Sequence, residues 1–301
     1  MRYPAVAGAF YERSRDALLR QIRECYTHPL GPGRVPQVQS GDRRILGLVV
    51  PHAGYVYSGP IAAHSYATLA ADGWPSSFVI LGPNHHGAGA PLAITNHDWQ
   101  TPLGLAAADA GLYARLSKPP LEEDVRAHRD EHSIEVQLPF LQQLHESVRF
   151  VPICMAFQEY ELASEVGRLV ADAVKGADVI LIASSDFTHV GPQYNQIPTR
   201  GLSAPEFAKE QDAKAIEKIL ALDANGFAGK VTQAEISMCG YGPVIAMLTA
   251  AKQLGGKGAK RSKRDTHRAP APSGTKRCTA RRPDACDGLR RSVLEGLMCG
   301  S

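Results

Sequence analysis

The chain has 301 residues, 44% hydrophobic and 21% charged, enough apolar material for one large α/β domain or two small ones. No apolar run approaches the ~20 residues of a membrane span, and Met1-Arg2-Tyr3-Pro4 carries no apolar signal segment, so a cytoplasmic location without a membrane partner is expected. The formal charge of +3 is uneven: residues 257–301 hold 12 Lys/Arg against 4 Asp/Glu, which leaves the preceding body mildly acidic, with no basic face for nucleic acid.

In chain order, residues 2–11 read as an ordered lead-in whose aromatics tuck onto the core. Ser14 is a plausible N-cap for a helix that places Leu18, Leu19, Ile22 and Cys25 on one face and stops before Pro29. Ile45 to Val50 is a nearly continuous apolar run closed by Pro51 and Gly54, the pattern of a buried parallel strand. Pro60 suits the first turn of the helix that follows, with Ile61 to Leu69 at helical spacing. Residues 77–81 form the next strand, so the unit is strand, helix, strand.

Further on, Leu92-Ala93-Ile94 and Phe150-Val151-Pro152-Ile153 read as short strands, and Leu112 to Leu116 as part of a helix. Glu131 to Leu141 has Ile134, Leu138 and Leu141 at helical period, with a kink expected at Pro139. Residues 161–174 form an amphipathic helix, 179–183 a strand, 205–222 a long helix, and 241–254 an apolar helix opened by Pro243; residues 227–231 stay ambiguous. The sum is a single α/β domain over 1–256, with a mostly parallel central sheet flanked by helices, and a separate basic tail at 257–301. The tail is rich in Arg, Lys, Pro and Ser and short of apolar periodicity, so it is expected to be disordered or the product of an altered reading frame that costs the body a strand.

Chemistry concentrates where strands end. In open α/β sheets ligands sit beyond the carboxyl ends of strands. Three of those ends run into Pro51-His52-Ala53-Gly54-Tyr55, Gly82-Pro83-Asn84-His85-His86-Gly87 and Ser184-Ser185-Asp186-Phe187-Thr188-His189. One histidine there says little; three in one sheet point to a metal or to acid–base work. Glycines 54, 82, 87 and 191 are expected to keep the turns tight and let a ligand approach.

Cys239, before Gly240 and the last helix, is either a buried small hydrophobe or a thiolate whose pKa the helix N-terminus lowers. Asp186 and His189 can act as a pair, or Asp186 can be a turn residue; Glu131 and His132 can support the pocket or start a solvated helix. Cys25, Cys154, Cys239, Cys278, Cys286 and Cys299 include no CxxC pair and make no disulfide framework. There is no GxGxxG after a strand, no Walker A lysine, no GxSxG elbow and no HExxH, so nicotinamide, ATP and serine-hydrolase chemistry lose support.

The motifs at residues 51–55, 81–86, 130–135 and 184–189, with Cys239-Gly240, occur in an order that resembles the Memo family, whose prokaryotic members are also named AmmeMemoRadiSam system protein B. The resemblance covers roughly residues 2–256. It implies a fold similar to the class III extradiol ring-cleaving dioxygenases (LigB-like). It also implies a metal site of His52, His85 and Cys239, with the catalytic candidates His189 and Asp186 in the same pocket. His86, Glu131, His132 and Tyr55 are expected to line or support that pocket. Fe(II) is the expected ion, with copper or zinc as alternatives, because a sulfur in place of the dioxygenases' carboxylate softens the ligand set.

The implied activity is a dioxygenase-like oxidoreductase on a small-molecule or peptide substrate, in a pathway with AMMECR-domain and radical SAM proteins. A non-catalytic metal- or peptide-binding scaffold and, below it, a metal-dependent hydrolase are the alternatives.

Overall fold

Alternation along the central strands explains the layers. The computed structural model describes residues 1–41, 43–199, 201–261 and 297–300. Its strands are β1 (Ile45–Val50), β2 (Ser77–Pro83), β3 (Leu92–Ile94), β4 (Trp99–Thr101), β5 (Gly104–Ala108), β6 (Glu122–Glu123), β7 (Val148–Met155), β8 (Val179–Ser184), β9 (Gly258–Arg261) and β10 (Leu297–Gly300). They form one sheet in the order β4-β5-β7-β2-β8-β1-β10-β9, with β3 and β6 paired off β7. The run from β5 to β1 is parallel; β4, β3, β10 and β9 add antiparallel edges.

Leu48, Val50, Phe78, Ile80, Ile180 and Ile182 point to one face, where the helices Arg15–Thr27, Tyr55–Asp72 and Leu138–Leu144 cover them. Val49, Val79, Leu81, Val151, Leu181 and Ala183 point to the other, under the helices Tyr160–Val174, Ala204–Leu220, Ala224–Gln233 and Tyr241–Gln253. Burying both faces is why these strands read as unbroken apolar runs rather than as alternating ones. The expected single α/β domain with a mostly parallel sheet is what forms. Among the described residues no helix is long and apolar enough to cross a membrane.

Three expectations change. The helix after β1 starts at Tyr55, so Pro60 lies inside it rather than in its first turn. The proline removes one interior bond, which would have gone to the carbonyl of Val56, a residue on the exposed side of the helix. Residues 131–141 are not one kinked helix. A turn at Glu131–Ile134 leads into a 3₁₀ turn, Glu135–Gln137, and Pro139 then sits in the first turn of the α-helix Leu138–Leu144. Proline is tolerated there because the first N–H groups of a helix have no internal partner. The ambiguous 227–231 segment belongs to the helix Ala224–Gln233, capped by the Asp223 carboxylate on the Gly226 N–H.

The boundary expected at 256 does not coincide with the edge of the sheet. β9 begins at Gly258, and β10 pairs antiparallel with both β1 and β9, so the sheet extends beyond residue 256. The remainder of the basic tail, 262–296, lies outside the described residues.

Asp212, on the helix Ala204–Leu220, is fully buried and accepts the Thr188 N–H at 2.9 Å, which ties this helix to the loop after β8. Burial pushes its carboxyl up to about 7, against a weaker opposing pull from the Thr188 donors. A carboxyl raised in the native state stabilises the fold at low pH and loses that contribution as pH climbs from about 4 through 7. Asp212→Asn should therefore flatten the decline of melting temperature over that range and stabilise the protein at pH 8 by up to about 4 kcal/mol. A pH profile identical to wild type would refute the assignment.

Candidate metal centre

β2, β8 and β1 are consecutive in the sheet, with Leu81 level with Ala183 and Val50 level with Ser184. His52, His85 and Asp186 each lie just past the last residue of their strand, so the register delivers all three to one edge. Two close approaches complete the pocket. A Cβ on Gly82 would lie 2.5 Å from Ser133 Oγ, so only glycine lets the 131–134 turn pack on β2. A Cβ on Gly240 would lie 2.4 Å from the Ser184 carbonyl, so only glycine brings Cys239 down onto the end of β8.

Hydrogen bonding fixes the tautomers. Ser184 Oγ donates its one proton to the Ser133 carbonyl at 2.6 Å and accepts from Gln137 Nε2 at 2.8 Å. Its contact of 2.9 Å with His52 Nδ1 must therefore be one in which the ring donates. Tyr66 donates to Gln137 Oε1 at 2.6 Å and so orients the amide that orients the serine. His52 is left with Nδ1 protonated and a bare Nε2. Burial drives its pKa down to about 3, which keeps the ring neutral.

His85 Nδ1 lies 2.9 Å from Glu131 Oε1. Glu131 is 1% exposed and accepts the backbone N–H groups of His85, His132 and Ser133 at 2.6, 2.9 and 2.8 Å. Burial opposes its charge, but the hydrogen bond from His85, the nearby His132 and these N–H groups outweigh it and hold it well below the usual carboxylate range. An ionised carboxylate can only accept, so His85 also carries its proton on Nδ1 and offers Nε2.

Cys239 Sγ lies 3.1 Å from His52 Nε2, where the thiol donates to the bare nitrogen. Burial and the Asp186 charge push the Cys239 thiol pKa up, the direction of the buried reading rather than of a thiolate at a helix N-terminus. Asp186 Oδ1 accepts the N–H groups of His52 and Ala53 at 2.8 and 3.2 Å. Burial disfavours its charge, yet His52, His189 and these donors keep its pKa below the usual value. His189 donates from Nδ1 to the Ser237 carbonyl at 2.9 Å, and Tyr194 packs on its ring at 4.9 Å. It is thus oriented by Ser237, and among the described residues no hydrogen bond joins it to Asp186.

The remaining expected residues divide. His132 is in the pocket, its ring stacked on that of His85 at 4.6 Å. His86 is exposed, in a group with Glu131 and His132. Tyr55 does not line the pocket: it is buried against Phe140, and its hydroxyl donates to the Val136 carbonyl at 2.7 Å. Gly87 and Gly191 take positive φ in their turns, as tight turns need, but Gly82 admits Ser133 rather than a ligand.

Besides the group of His86, Glu131 and His132, the described residues bring together His52, His85 and His132, and His52, Asp186 and Cys239, each with ligand atoms within 4.8 Å of one another. The trio His52, His85 and Cys239 therefore spans both groups and shares His52 between them. Sequence reasoning missed Ser184, Gln137 and Ser237. Their role is to choose which ring nitrogen is bare, and no local pattern announces it. Imidazoles whose Nδ1–H groups are committed to other partners, a thiol and a carboxylate in one half-buried pocket are a donor set that fits a transition metal.

The family described as Memo-like protein matches residues 2–271. A MEMO1 family protein of Methanopyrus kandleri is 44% identical over 260 residues, covering 84% of this chain and 88% of that protein. A MEMO1 family protein of Methanothermobacter thermautotrophicus is 43% identical over 260 residues, covering 85% and 89%. Among solved structures, that of an uncharacterized protein from Escherichia coli K12 aligns with a TM-score of 0.49 at 13% identity, over 85% of this chain and 99% of that one.

Proposed function

The chain belongs to the Memo-like protein family, and on that footing we propose that it binds a transition metal at the carboxyl edge of its sheet, with ligands drawn from His52, His85 and Cys239. Fe(II) is the first candidate ion, copper or zinc the next. The observation that carries this reading is the pair of imidazoles whose Nδ1–H groups are committed to Ser184 and Glu131, with the bare Nε2 of His52 3.1 Å from the Cys239 sulfur.

When bound there, an ion of this kind supplies a Lewis acid and, for iron or copper, a one-electron centre. The chain's own groups do the rest. Ser184 and Gln137 hold His52, Glu131 holds His85, and Asp186 keeps a negative charge at the pocket wall. His189, with Nδ1 given to Ser237, presents Nε2 as a proton acceptor, the role a dioxygenase-like oxidoreductase needs for a small-molecule or peptide substrate. We place the chain in a pathway with AMMECR-domain and radical SAM proteins on the strength of the resemblance.

Metal analysis of purified protein beside a His52→Ala, Cys239→Ala double variant tests the reading. Wild type should retain close to one ion per chain after anaerobic reconstitution and the double variant almost none. Equal metal content in the two would remove the site. An iron-loaded protein that consumes no oxygen with any diol or peptide tried would leave metal binding and remove the oxygenase.

A further inference from the structure

Behind the loop that carries His189 lies a buried carboxyl that the proposed function does not use. Asp212 Oδ1 accepts the Thr188 N–H at 2.9 Å, one residue before His189, and the side chain is 0% exposed. Its Oδ2 has no hydrogen-bond partner among the described residues. The titratable groups on the elements packed around it are Asp186 and His189 on the loop, Lys209 and Lys214 on its own helix, Lys230 and Glu235 on and after Ala224–Gln233, and Lys260 and Arg261 on β9. None of them acts on it: burial and Thr188 alone set its protonation. An ionised carboxylate there has one donor on Oδ1, nothing on Oδ2 and no counterion, which is an unfavourable state for a buried charge.

The part of the fold nearest this carboxyl is also weakly anchored. Val190, Phe207 and Ala208, with Leu202 and Ala204, form a small cluster of their own, apart from the two cores that flank the sheet. Residues 185–199 hold no regular element beyond the 3₁₀ turn Pro192–Tyr194. Their other ties are few. Ser237 Oγ accepts the His189 N–H and donates to the His189 carbonyl, both at 2.8 Å, and Gln196 Nε2 donates to the Glu235 carbonyl at 2.7 Å. Segments resting on few buried apolar contacts open locally at a free energy well below that of global unfolding.

We propose that Asp212 is a pH-dependent latch on residues 188–196: as the neutral acid it holds the arm bearing His189 and Tyr194 against the helix Ala204–Leu220, and opening of the arm hydrates and ionises it. The proposal rests on the contact with Thr188 and is independent of metal binding. The sign follows from linkage. The carboxyl titrates at about 7 with the arm closed and near 4 once hydrated, so between those values each opening releases one proton. The opening equilibrium therefore rises about tenfold per pH unit from about pH 4 to 7, ~1000-fold in all, and levels off above that. The arm is held firmly in acid and released most readily from neutral pH upward.

Native-state hydrogen exchange on the full, metal-free chain tests this, read at the N–H groups of Thr188, His189, Gly191 and Gln196, which donate to Asp212, to Ser237 and across the loop. Protection factors, corrected for the intrinsic pH dependence of exchange, should fall about tenfold per pH unit from about pH 5 to 7 and flatten by about pH 8. Asp212→Asn, which cannot ionise, should give a flat profile. Wild-type protection that ignores pH, or a slope that Asp212→Asn leaves unchanged, overturns the latch. The same slope at the amides of β2 and β8 ties the carboxyl to global unfolding alone and also overturns it. A further reading needs no variant: the Asp212 carboxyl carbon should titrate near pH 7 by NMR, and a midpoint near 4 removes the proposal.

Discussion

Glu131→Ala is expected to cost about 3–5 kcal/mol of stability and to reduce metal affinity by at least ~10–100-fold. One carboxylate accepts three backbone N–H groups and the His85 ring N–H from a site that is 1% exposed. Without it, those N–H groups are buried unpaired, and the His85 ring can rotate or exchange tautomers. Glu131→Gln is the sharper variant, because it keeps the volume but turns an NH₂ toward donors that need an acceptor. The charge also sets an acid limit. A carboxyl held below its ordinary range stabilises the fold above about pH 4 and loses that contribution as pH falls toward its native value. Denaturant melts of wild type and variants at pH 7 and pH 4 read both effects. A Glu131→Ala protein with wild-type midpoint and metal affinity would show that the carboxylate organises nothing.

Glu135→Ala should destabilise the fold by a similar ~3–5 kcal/mol, with little direct effect on the ligands themselves. Arg2 is 7% exposed and pairs with Glu135 at 2.5 Å; its other N–H groups go to the carbonyls of His128 and Glu131 at 2.8 and 2.6 Å, and it lies 4.1 Å over the Trp99 ring. Glu135 also accepts from Ala5, Val6 and the Tyr11 hydroxyl. This network clamps the amino-terminal lead-in onto the turn that carries Glu131 and His132. Removing the carboxylate strands a buried guanidinium and frees three donors, the costly way to break an ion pair. The double variant Arg2→Met, Glu135→Leu should recover part of the loss, since it removes the charge as well as its partner. Midpoints in guanidinium chloride that stay within about 1 kcal/mol of wild type for Glu135→Ala would contradict the clamp.

The strands at 45–50, 77–83 and 179–184 were legible because burial on both faces leaves a continuous apolar run that little else imitates. His52, His85 and Asp186 were legible with them, since each follows its strand within a few residues and the parallel register does the rest. The turn at 131–134 was not. Ile134, Leu138 and Leu141 keep helical spacing, but the Glu131 side chain captures the N–H groups of His132 and Ser133, so the chain turns there before any helix begins. Pro60 misled for a related reason: proline is commonest in a first turn, yet here the lost bond falls on the exposed side of a long helix. The partnerships that decide tautomers, Ser184 with His52, Gln137 with Ser184 and Ser237 with His189, join residues from 47 to 132 positions apart. Single polar residues at such separation leave no periodic trace.

Metal binding at this edge requires that Nε2, and not Nδ1, be the bare nitrogen of His52 and of His85. Nitrogen-15 NMR of metal-free protein at pH 7, with long-range coupling to the ring protons, observes this directly. Both rings should appear as the Nδ1–H tautomer with unprotonated Nε2, and one equivalent of Zn(II) should shift those Nε2 resonances. Rings protonated at Nε2, or Nε2 signals that Zn(II) leaves in place, would contradict it.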